Sequence, residues 1–293
     1  MKLPKVAIII INWNGINDTI ECLESLKKIK YKKFKIILID NNSKNNEAEK
    51  IKKKFPNVTL IKNNKNEGFC KANNAGIGLS LKYNFDYILL LNNDTIVKKN
   101  FLNILIATME KDKNIGASSP KILYPNSEKI WSMGGKNLDT LGISVMIGKG
   151  KKENKYKKIV YPDFLTGCAM LIRVDLIKKI GNLDEKYFAY YEDVDYSKRI
   201  KKEGYKIVTQ PKSIIFHKKS ASAGIRGSNK ISKIQAYLQM RNSLYLLRKH
   251  NPRLFYLKAM LIILFKGGTL FLKSENFNCT KSIYQGIKDG LRK

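Results

Sequence analysis

Three apolar segments of strand length each end abruptly in polar residues. A continuous apolar run of this length is typical of a strand that is buried on both faces of a parallel sheet. Open α/β sheets bind ligands beyond the carboxyl ends of their strands, so the residues that follow these runs predict one shared ligand site. The runs are 87–91, which leads into Asn92-Asn93-Asp94, 6–11, which leads into Asn12, and 36–39, which leads into Asp40.

Strand and helix patterns alternate through the first hundred residues. Asp18, with Glu21 three residues later, has the spacing of a capping box at the start of the first helix. A βαβ repetition of this kind predicts an α/β fold, with a mostly parallel sheet flanked by helices. The predicted strands are 6–11, 35–39, 58–61 and 87–91, and the predicted helices are 19–29, 47–55, 72–83 and 100–111.

The pattern weakens between residues 115 and 162, where short apolar runs separated by glycines predict hairpins and a loop. Beyond it the sequence predicts a buried strand at 166–173, a short helix at 174–180, a helix within 187–202 and strands at 206–209 and 214–216. The amphipathic segment 231–248 is helical by its spacing. We therefore predict an α/β domain over residues 1–220 and a C-terminal helical extension over residues 221–293.

The chain of 293 residues is strongly basic, with 56 Lys and Arg against 24 Asp and Glu, a formal charge of +32. The lysines are scattered rather than clustered, which favours an anionic membrane surface or phosphorylated ligands over nucleic acid. The four cysteines form no CxxC pair, and free buried thiols are typical of a reducing compartment. We therefore predict a cytoplasmic protein that does not bind nucleic acid.

Segment 255–272 is rich in Leu, Ile and Phe, but Lys258, Lys266 and the pair Gly267-Gly268 interrupt it. A membrane-spanning helix needs about 20 mostly apolar residues. The segment is better suited to lie in the membrane interface, with its lysines reaching the headgroups, than to span the bilayer. The alternative is a helix that packs on the protein's own core. A peripheral position at the inner face of the cell membrane follows from the first interpretation.

A second acidic cluster, Glu192-Asp193-Val194-Asp195, follows two tyrosines. Aromatic neighbours can desolvate a carboxylate and raise its pKa towards the range useful for a general base. Asp195 has a structural partner in Arg199, one helical turn later. The sequence thus favours Asp193 and Glu192 for chemistry and Asp195 for structure.

His217 is one of two histidines, and it follows a predicted strand just as Asp94 does. A lone histidine is usually structural. At a strand end beside an aspartate, however, it can share a divalent cation with phosphate oxygens. Mg²⁺ and Mn²⁺ favour oxygen-rich shells of this kind. Asp94 and His217 are therefore the predicted metal ligands.

Five motifs in this order resemble the family 2 inverting glycosyltransferases, and most of all the rhamnosyltransferase-type branch. The resemblance covers roughly residues 6–217 and continues more loosely through 237–248. It implies a GT-A fold, a nucleotide-diphosphate sugar donor and a divalent metal, Mg²⁺ or Mn²⁺. The motifs are Asp40-Asn41-Asn42-Ser43, Asn66-Glu67-Gly68-Phe69, Leu91-Asn92-Asn93-Asp94, Thr166-Gly167-Cys168-Ala169-Met170 and Glu192-Asp193-Val194-Asp195.

The resemblance also implies a role for each matching residue. Asp193 would be the general base, with Glu192 beside it, and Asp94 and His217 would hold the metal. Asn92 stands where the family often has its first metal-binding acid, so Asp94 supplies the only charge there. The donor would be bound by Asn12, Asp40, Gly68, Asn73, Asn93, Gly167, Cys168 and Arg241, with Asp40 at the base or ribose, Gly167 and Cys168 at the sugar and Arg241 at the diphosphate.

Two other functions are compatible with parts of the sequence. A sugar nucleotidyltransferase is also α/β and metal-dependent, but its first turn is usually Gly-rich, and here that turn has one glycine, Gly15. A non-catalytic basic module could bind nucleic acid or anionic lipid, although acids at buried strand ends do not fit it. The leading hypothesis is transfer of a sugar, possibly rhamnose, from a dTDP- or UDP-activated donor to a glycan or lipid-linked acceptor.

Overall fold

The computed structural model describes residues 3–138, 141–218, 231–274 and 279–292. The first half alternates strands with helices, as the sequence predicts. The elements are β1 (Val6–Asn12), α1 (Ile16–Lys27), β2 (Phe34–Asp40), α2 (Glu47–Lys54), β3 (Thr59–Lys62), α3 (Gly68–Leu81), β4 (Tyr87–Leu91), β5 (Thr95–Val97) and α4 (Phe101–Lys111).

The second half adds short strands, two further helices of the α/β domain and three C-terminal helices. The elements are β6 (Ile115–Leu123), β7 (Ile130–Ser132), β8 (Gly135–Leu138), β9 (Ile143–Met146), β10 (Ala169–Arg173), α5 (Val174–Ile180), α6 (Glu192–Lys202), β11 (Lys206–His217), α7 (Lys233–His250), α8 (Phe255–Lys273) and α9 (Thr280–Leu291).

The main sheet has the strand order β3-β2-β1-β4-β10-β6-β11-β5, and β7 pairs with β6. β3, β2, β1 and β4 are parallel, whereas β10 runs antiparallel between β4 and β6. Helices α1, α2 and α4 pack on one face and α3, α5 and α6 on the other, each over an apolar layer. The predicted α/β fold with a mostly parallel sheet is confirmed.

Antiparallel β10 brings a later part of the chain to the ligand edge of the sheet. Ala169 lies opposite Leu91, so the residues before β10 lie beside the residues after β4. β11 brings a still later segment to the same edge, because His217 lies opposite Thr95. Asp94, Cys168 and His217, which are far apart in sequence, are thereby placed at one edge.

Three local predictions need correction. The first helix begins at Ile16, so Asp18 lies inside its first turn, no side chain caps the helix, and Asp18 instead accepts a hydrogen bond from Lys218 Nζ at 3.0 Å. The segment 115–162, predicted to form hairpins and a loop, contains the β8–β9 hairpin but begins with β6, a strand buried along its whole length. Gly116, two serines and a proline conceal its apolar pattern. The strands predicted at 206–209 and 214–216 are one strand with a bulge.

The C-terminal helices form an apolar cluster of their own, in which α8 packs on α7 and α9. The outer face of α8 is exposed, whereas Lys266 is only 6% exposed and points inward, so the prediction that it reaches the headgroups is wrong. The predicted domain boundary at 220/221 lies outside the described residues and stays a prediction.

Candidate functional site

A hydrogen-bonded network joins the ends of β1, β2 and β4. The Asn12 side-chain amide donates to Asp40 Oδ1 at 3.0 Å and to Glu47 Oε2 at 2.9 Å. Thr19 Oγ1 donates to Asn12 Oδ1 at 2.6 Å and accepts from Asn93 Nδ2 at 2.9 Å. The predicted residues Asn12, Asp40 and Asn93 therefore belong to one polar cluster. It lies where open α/β sheets bind ligands.

An exposed aromatic residue stands next to this network. Trp13 follows Asn12 directly and is 41% exposed. Aromatic rings of this kind provide a flat apolar surface on which a nucleotide base can stack. The sequence analysis did not select Trp13, although a tryptophan in a strand-end turn was the available signal.

The loop before α3 is fixed by Asn41, a residue that the sequence analysis passed over. Asn41 Nδ2 donates to Asn66 Oδ1 at 2.8 Å, and Asn41 Oδ1 accepts from the backbone N–H of Glu67 at 3.0 Å. Gly68 follows with φ of +75°, and a Cβ there would lie 2.5 Å from the Phe188 ring. Only glycine combines this backbone angle with this close approach. The loop therefore fits closely onto the segment that precedes the acidic cluster.

Asn73, predicted to line the nucleotide pocket, is buried within α3. Its side-chain amide donates to Phe69 O at 3.0 Å, one turn earlier in the same helix. Phe69 in turn lies against Gly167, since a Cβ on that glycine would be 3.1 Å from the ring. The described hydrogen bond of Asn73 therefore holds the Phe69 backbone within α3. Direct contact of Asn73 with a donor stays a prediction.

The segment leading into Glu192 and Asp193 is held in an unusual backbone conformation. Phe188, Tyr190 and Tyr191 all have positive φ, at 61°, 69° and 73°. Positive φ in bulky residues costs roughly 1–3 kcal/mol each, and such strain is concentrated at functional sites. The backbone geometry therefore supports the hypothesis that this segment is functional, independently of its acids.

Asn242 on α7 holds this segment in place. Its buried side-chain amide donates to the carbonyl oxygens of Tyr187, Ala189 and Tyr190 at 2.8–2.9 Å. Its neighbour Arg241 donates from Nη2 to Lys186 O at 2.7 Å. The structure thus places Arg241 on the same segment, and its contact with a diphosphate stays a prediction. No pattern in the sequence distinguished Asn242 from other helical asparagines.

Asp193 is half-buried at the start of α6. Its Oδ2 accepts from the Gly167 backbone N–H at 3.1 Å, which brings together two residues predicted for the site. Burial raises the pKa of Asp193 to about 6, although the backbone N–H groups of Gly167 and Val194 oppose the shift. A carboxylate with a pKa near 6 is deprotonated at neutral pH and is still basic enough to accept a proton.

Glu192 differs from its neighbour in its surroundings. It is 7% exposed, and its Oε2 makes no hydrogen bond with any described residue. Burial, together with the negative charge of Asp193, raises its pKa well above the usual value. The Asp193 charge disfavours ionisation of the more buried Glu192, so Asp193 is the better candidate for the charged base.

Asp195 has the structural surroundings that its spacing predicts. Arg199 Nε lies 3.0 Å from Asp195 Oδ2, and Lys249 and His250 from α7 lie 2.9 and 2.8 Å from Oδ1. Burial opposes ionisation of Asp195, but these three partners outweigh it and lower its pKa. The cluster ties α6 to α7 and so supports the position of Asp193.

Asp94 and His217 meet at the sheet edge. Both are buried, and His217 Nε2 lies 3.1 Å from Asp94 Oδ1. Burial lowers the pKa of His217, but Cys168 and the Asp94 carboxylate more than reverse this and raise it to about 10, so His217 would have to release its proton before Nε2 could hold a cation. Cys168 is itself buried, which raises its thiol pKa, and its carbonyl accepts from the Asn92 N–H at 2.9 Å. The two predicted metal ligands are thus side by side, with Cys168 in contact.

The donor atoms at this edge suit a divalent cation. The 3.1 Å between Asp94 Oδ1 and His217 Nε2 is the length of a hydrogen bond, and both atoms would be available to one cation once the His217 proton has left. Among the described residues no group of three His, Cys, Asp or Glu side chains has the geometry to hold a metal ion. The described residues would therefore supply two ligands, and phosphate oxygens of a bound substrate would supply others.

A separate cavity of about 650 Å³ lies between α1, β5 and α4. Its lining includes Glu21, Lys98 and Phe101 and none of the predicted site residues. The size of a cavity alone does not identify the functional site, because the convergent acids and the strained backbone lie outside this cavity.

Comparison with known proteins assigns this arrangement to a family. The family model described as glycosyl transferase family 2 matches residues 7–181, which is more than half of the chain. The chain belongs to glycosyl transferase family 2. It is a glycosyltransferase, and family membership argues against both the nucleotidyltransferase and the non-catalytic alternatives.

Two curated relatives of this glycosyltransferase make the same connection at low identity. The N-acetylglucosaminyl-diphospho-decaprenol L-rhamnosyltransferase of Mycobacterium tuberculosis is 24% identical over 226 residues, which cover 69% of this chain and 72% of the relative. The low-salt glycan biosynthesis hexosyltransferase Agl10 of Haloferax volcanii is 26% identical over 212 residues, covering 70% and 64%. The predicted recognition as a family 2 glycosyltransferase is confirmed.

Solved structures confirm the GT-A fold of this glycosyltransferase. GalNAc-T7, solved with UDP, GalNAc and Mn²⁺, aligns with a TM-score of 0.67 at 17% identity, covering 98% of this chain and 55% of that one. The mannosyltransferase PcManGT of Pyrobaculum calidifontis, solved with GDP-Man and Mn²⁺, aligns with a TM-score of 0.61 at 13% identity, covering 99% and 86%. At these identities the likeness concerns the fold.

Proposed function

We propose that this glycosyltransferase moves a sugar, with inversion, from a dTDP- or UDP-activated donor to a hydroxyl group of a lipid-linked glycan acceptor. The observation that carries the proposal is that two acids near the same sheet edge, Asp193 and Asp94, have different surroundings. A half-buried carboxylate with a raised pKa, Asp193, belongs to the same strand-end region as the buried Asp94–His217 pair. One acid suits proton removal and the other suits a metal and diphosphate.

The base role follows from the surroundings of Asp193. The Gly167 N–H orients its carboxylate, and burial keeps it basic enough to remove the proton of an attacking hydroxyl. Attack on the face of the sugar opposite the diphosphate displaces the donor's leaving group in one step. The anomeric centre is inverted as a consequence.

Asp94 and His217 would hold Mg²⁺ or Mn²⁺ through a carboxylate oxygen and an imidazole nitrogen. A cation bound there supplies stabilisation of the negative charge that develops on the leaving diphosphate. The Asn12–Asp40 network and the exposed Trp13 ring suit the nucleoside, through hydrogen bonds and stacking. The solved GalNAc-T7 and PcManGT structures, each with Mn²⁺, support the metal part of the proposal.

Donor and acceptor can be tested directly. We expect dTDP-rhamnose or a UDP-hexose with Mn²⁺ to raise the melting temperature, because a ligand that binds only the native state stabilises it by mass action. The donor so identified should then transfer its sugar to N-acetylglucosaminyl-diphospho-decaprenol, the acceptor type in the name of the mycobacterial relative. Nucleotide release and mass spectrometry of the lipid measure the reaction. Failure of every nucleotide sugar to bind or react would refute the proposal.

The membrane part of the proposal concerns the outer face of α8. In the described residues one helix, Pro252–Lys273, is long and apolar enough to cross a membrane, with a mean hydropathy of 1.6 and 28% of that window buried in the protein. Leu257, Met260 and Leu264 share an outer face and are 65–67% exposed. Because the opposite face packs on α7 and α9, we place α8 flat on a bilayer, where the excess of lysine and arginine favours anionic lipid.

Replacing Leu257 and Leu264 together by Gln should weaken binding to vesicles of phosphatidylglycerol and phosphatidylcholine. Two leucines that leave an apolar environment account for about 3 kcal/mol, or roughly a hundredfold in partitioning. Co-sedimentation measures the change. The matched control replaces Tyr83 and Tyr161, which are 62% and 64% exposed outside α8, by Gln. Equal binding by both double variants would contradict a membrane role for α8.

A further inference from the structure

The inner face of α8 contains one charged residue among apolar ones. Buried positions on this helix include Ala259, Ile262 and Leu270, which pack in the C-terminal apolar cluster. Lys266 lies among them and is 6% exposed. Burial, with the charge of Lys273 adding to it, lowers the pKa of Lys266 to about 7. A methionine of similar length would pack there without this cost, so the lysine is explained by its polar contacts.

Those contacts reach the segment that carries the acids. Lys266 Nζ is hydrogen-bonded to Tyr191 Oη and donates to Gly142 O at 3.2 Å. Tyr191 Oη donates to the same carbonyl at 2.7 Å. The ammonium also lies 4.8 Å from the centre of the Tyr191 ring. These three groups, which we call the Lys266 node, join α8, the turn between β8 and β9, and the residue before α6.

Tyr191 is the last residue before the acids. It has φ of +73° and stands at the N-cap of α6, whose first two residues are Glu192 and Asp193. A side chain that fixes Tyr191 therefore also fixes the direction in which Asp193 leaves the backbone. Asn242 restrains the carbonyl groups of the same segment from α7, and the Lys266 node restrains its far end from α8.

We propose that Lys266 is a positioning residue for the transfer reaction: through Tyr191 it sets the orientation of Asp193 towards Gly167, and so links the helix that faces the membrane to the base. The inference rests on the proposed role of Asp193. Among the described residues the hydrogen bonds of Lys266 are with Tyr191 and Gly142, so it acts on the reaction through Tyr191.

Lys266→Met tests the inference, with Lys258→Met as the matched control. Lys258 lies on the same helix, about two turns earlier, and is only half-buried. We expect Lys266→Met to lower kcat at least tenfold while KM for dTDP-rhamnose or the UDP-hexose stays within twofold. Its melting temperature should be unchanged or higher, because a buried amine is replaced by an apolar side chain. A variant that is slower without being less stable has not simply lost its fold.

Amide hydrogen exchange gives a readout that needs no substrate. In Lys266→Met the peptide spanning 187–195 should exchange at least fivefold faster, whereas in Lys258→Met it should exchange as in the wild type. Tyr191→Phe should reproduce the effect, and the Lys266→Met/Tyr191→Phe double variant should be no slower in turnover than the slower single one, since both remove the same linkage. Additive losses of kcat, or wild-type exchange and kcat in Lys266→Met, would overturn the inference.

Asp193→Asn, assayed in parallel, separates this outcome from failure of the base assignment. An active Asp193→Asn enzyme would refute the role of Asp193 as the base, whatever the result for Lys266→Met.

Discussion

Asp193→Asn is expected to lose sugar transfer while it keeps donor binding. The amide preserves the shape of the carboxylate but cannot take the proton of the attacking hydroxyl. General-base catalysis contributes typically 10²–10⁴-fold, so we expect kcat to fall about a thousandfold. Calorimetric titration with the nucleotide sugar should give a Kd within about twofold of the wild type, because Asp193 acts on the acceptor side of the reaction. Turnover close to that of the wild type would refute the base assignment.

The pH dependence provides a second test of the same residue. Burial raises the pKa of Asp193 to about 6, so the carboxylate is available above that pH and kcat/KM should fall as the pH drops through about 6. A raised pKa also means that ionisation opposes folding: the stabilising, protonated form is lost as pH rises through the folded pKa. Asparagine removes this cost at pH 8, but it turns its NH2 group towards the backbone N–H of Gly167 or Val194, each of which donates to the carboxylate. The melting temperature of Asp193→Asn at pH 8 should therefore be measured beside its activity, and we expect it to lie within a few degrees of the wild type.

Glu192→Gln is the matched control for Asp193→Asn. Glu192 is buried beside Asp193, and burial together with the Asp193 charge raises its pKa well above the usual value. Glutamine keeps the size of the side chain and removes a group whose ionisation burial opposes, so we expect kcat to change less than tenfold. If Glu192→Gln lost kcat a thousandfold while Asp193→Asn stayed active, Glu192 would be the base and the assignment to Asp193 would be wrong.

Residue periodicity correctly predicted those strands and helices whose residue pattern is typical of a single kind of secondary structure. The apolar run 87–91 is β4 with the same bounds, and the helix at 174–180 is α5, ended at Gly181. β6 was missed because Pro120 and small residues interrupt its pattern, although burial by β10 and β11 makes it a central strand. Its pairing partners lie far along the chain, so no local pattern reports them.

The site was predictable where it consists of strand ends and not where it depends on tertiary contacts. Asp94 follows β4 and His217 ends β11, and the prediction that both lie at strand ends sufficed to propose that they meet. Asn41, Asn242 and Lys266 act by holding loops, and their partners are backbone carbonyl and amide groups that any sequence supplies. Such residues are recognised only when the loop conformation is known.

Asp94→Ala is expected to remove the metal dependence of donor binding. Asp94 supplies the only carboxylate of the predicted pair, because Asn92 stands where a second acid could be. With wild-type enzyme, we expect EDTA to weaken the binding of dTDP-rhamnose or the UDP-hexose at least tenfold relative to Mn²⁺. In Asp94→Ala the two conditions should give the same Kd, and kcat should fall about a hundredfold or more, since the developing charge on the diphosphate is no longer stabilised.

Asn92→Asp provides the converse experiment. The residue is partly exposed at the end of β4, and its backbone N–H is bound to Cys168 O, so a change of side chain leaves the main-chain contact in place. A second carboxylate should strengthen Mn²⁺ binding at least tenfold, as a titration of the metal alone would measure, because affinity for hard cations rises with ligand charge. His217→Gln should weaken Mn²⁺ binding, because the Asp94 carboxylate remains but the imidazole nitrogen of His217 is lost. If Asp94→Ala kept the full difference between Mn²⁺ and EDTA, the cation would have to be held by other groups, and the 3.1 Å contact between Asp94 and His217 would be an ordinary buried ion pair.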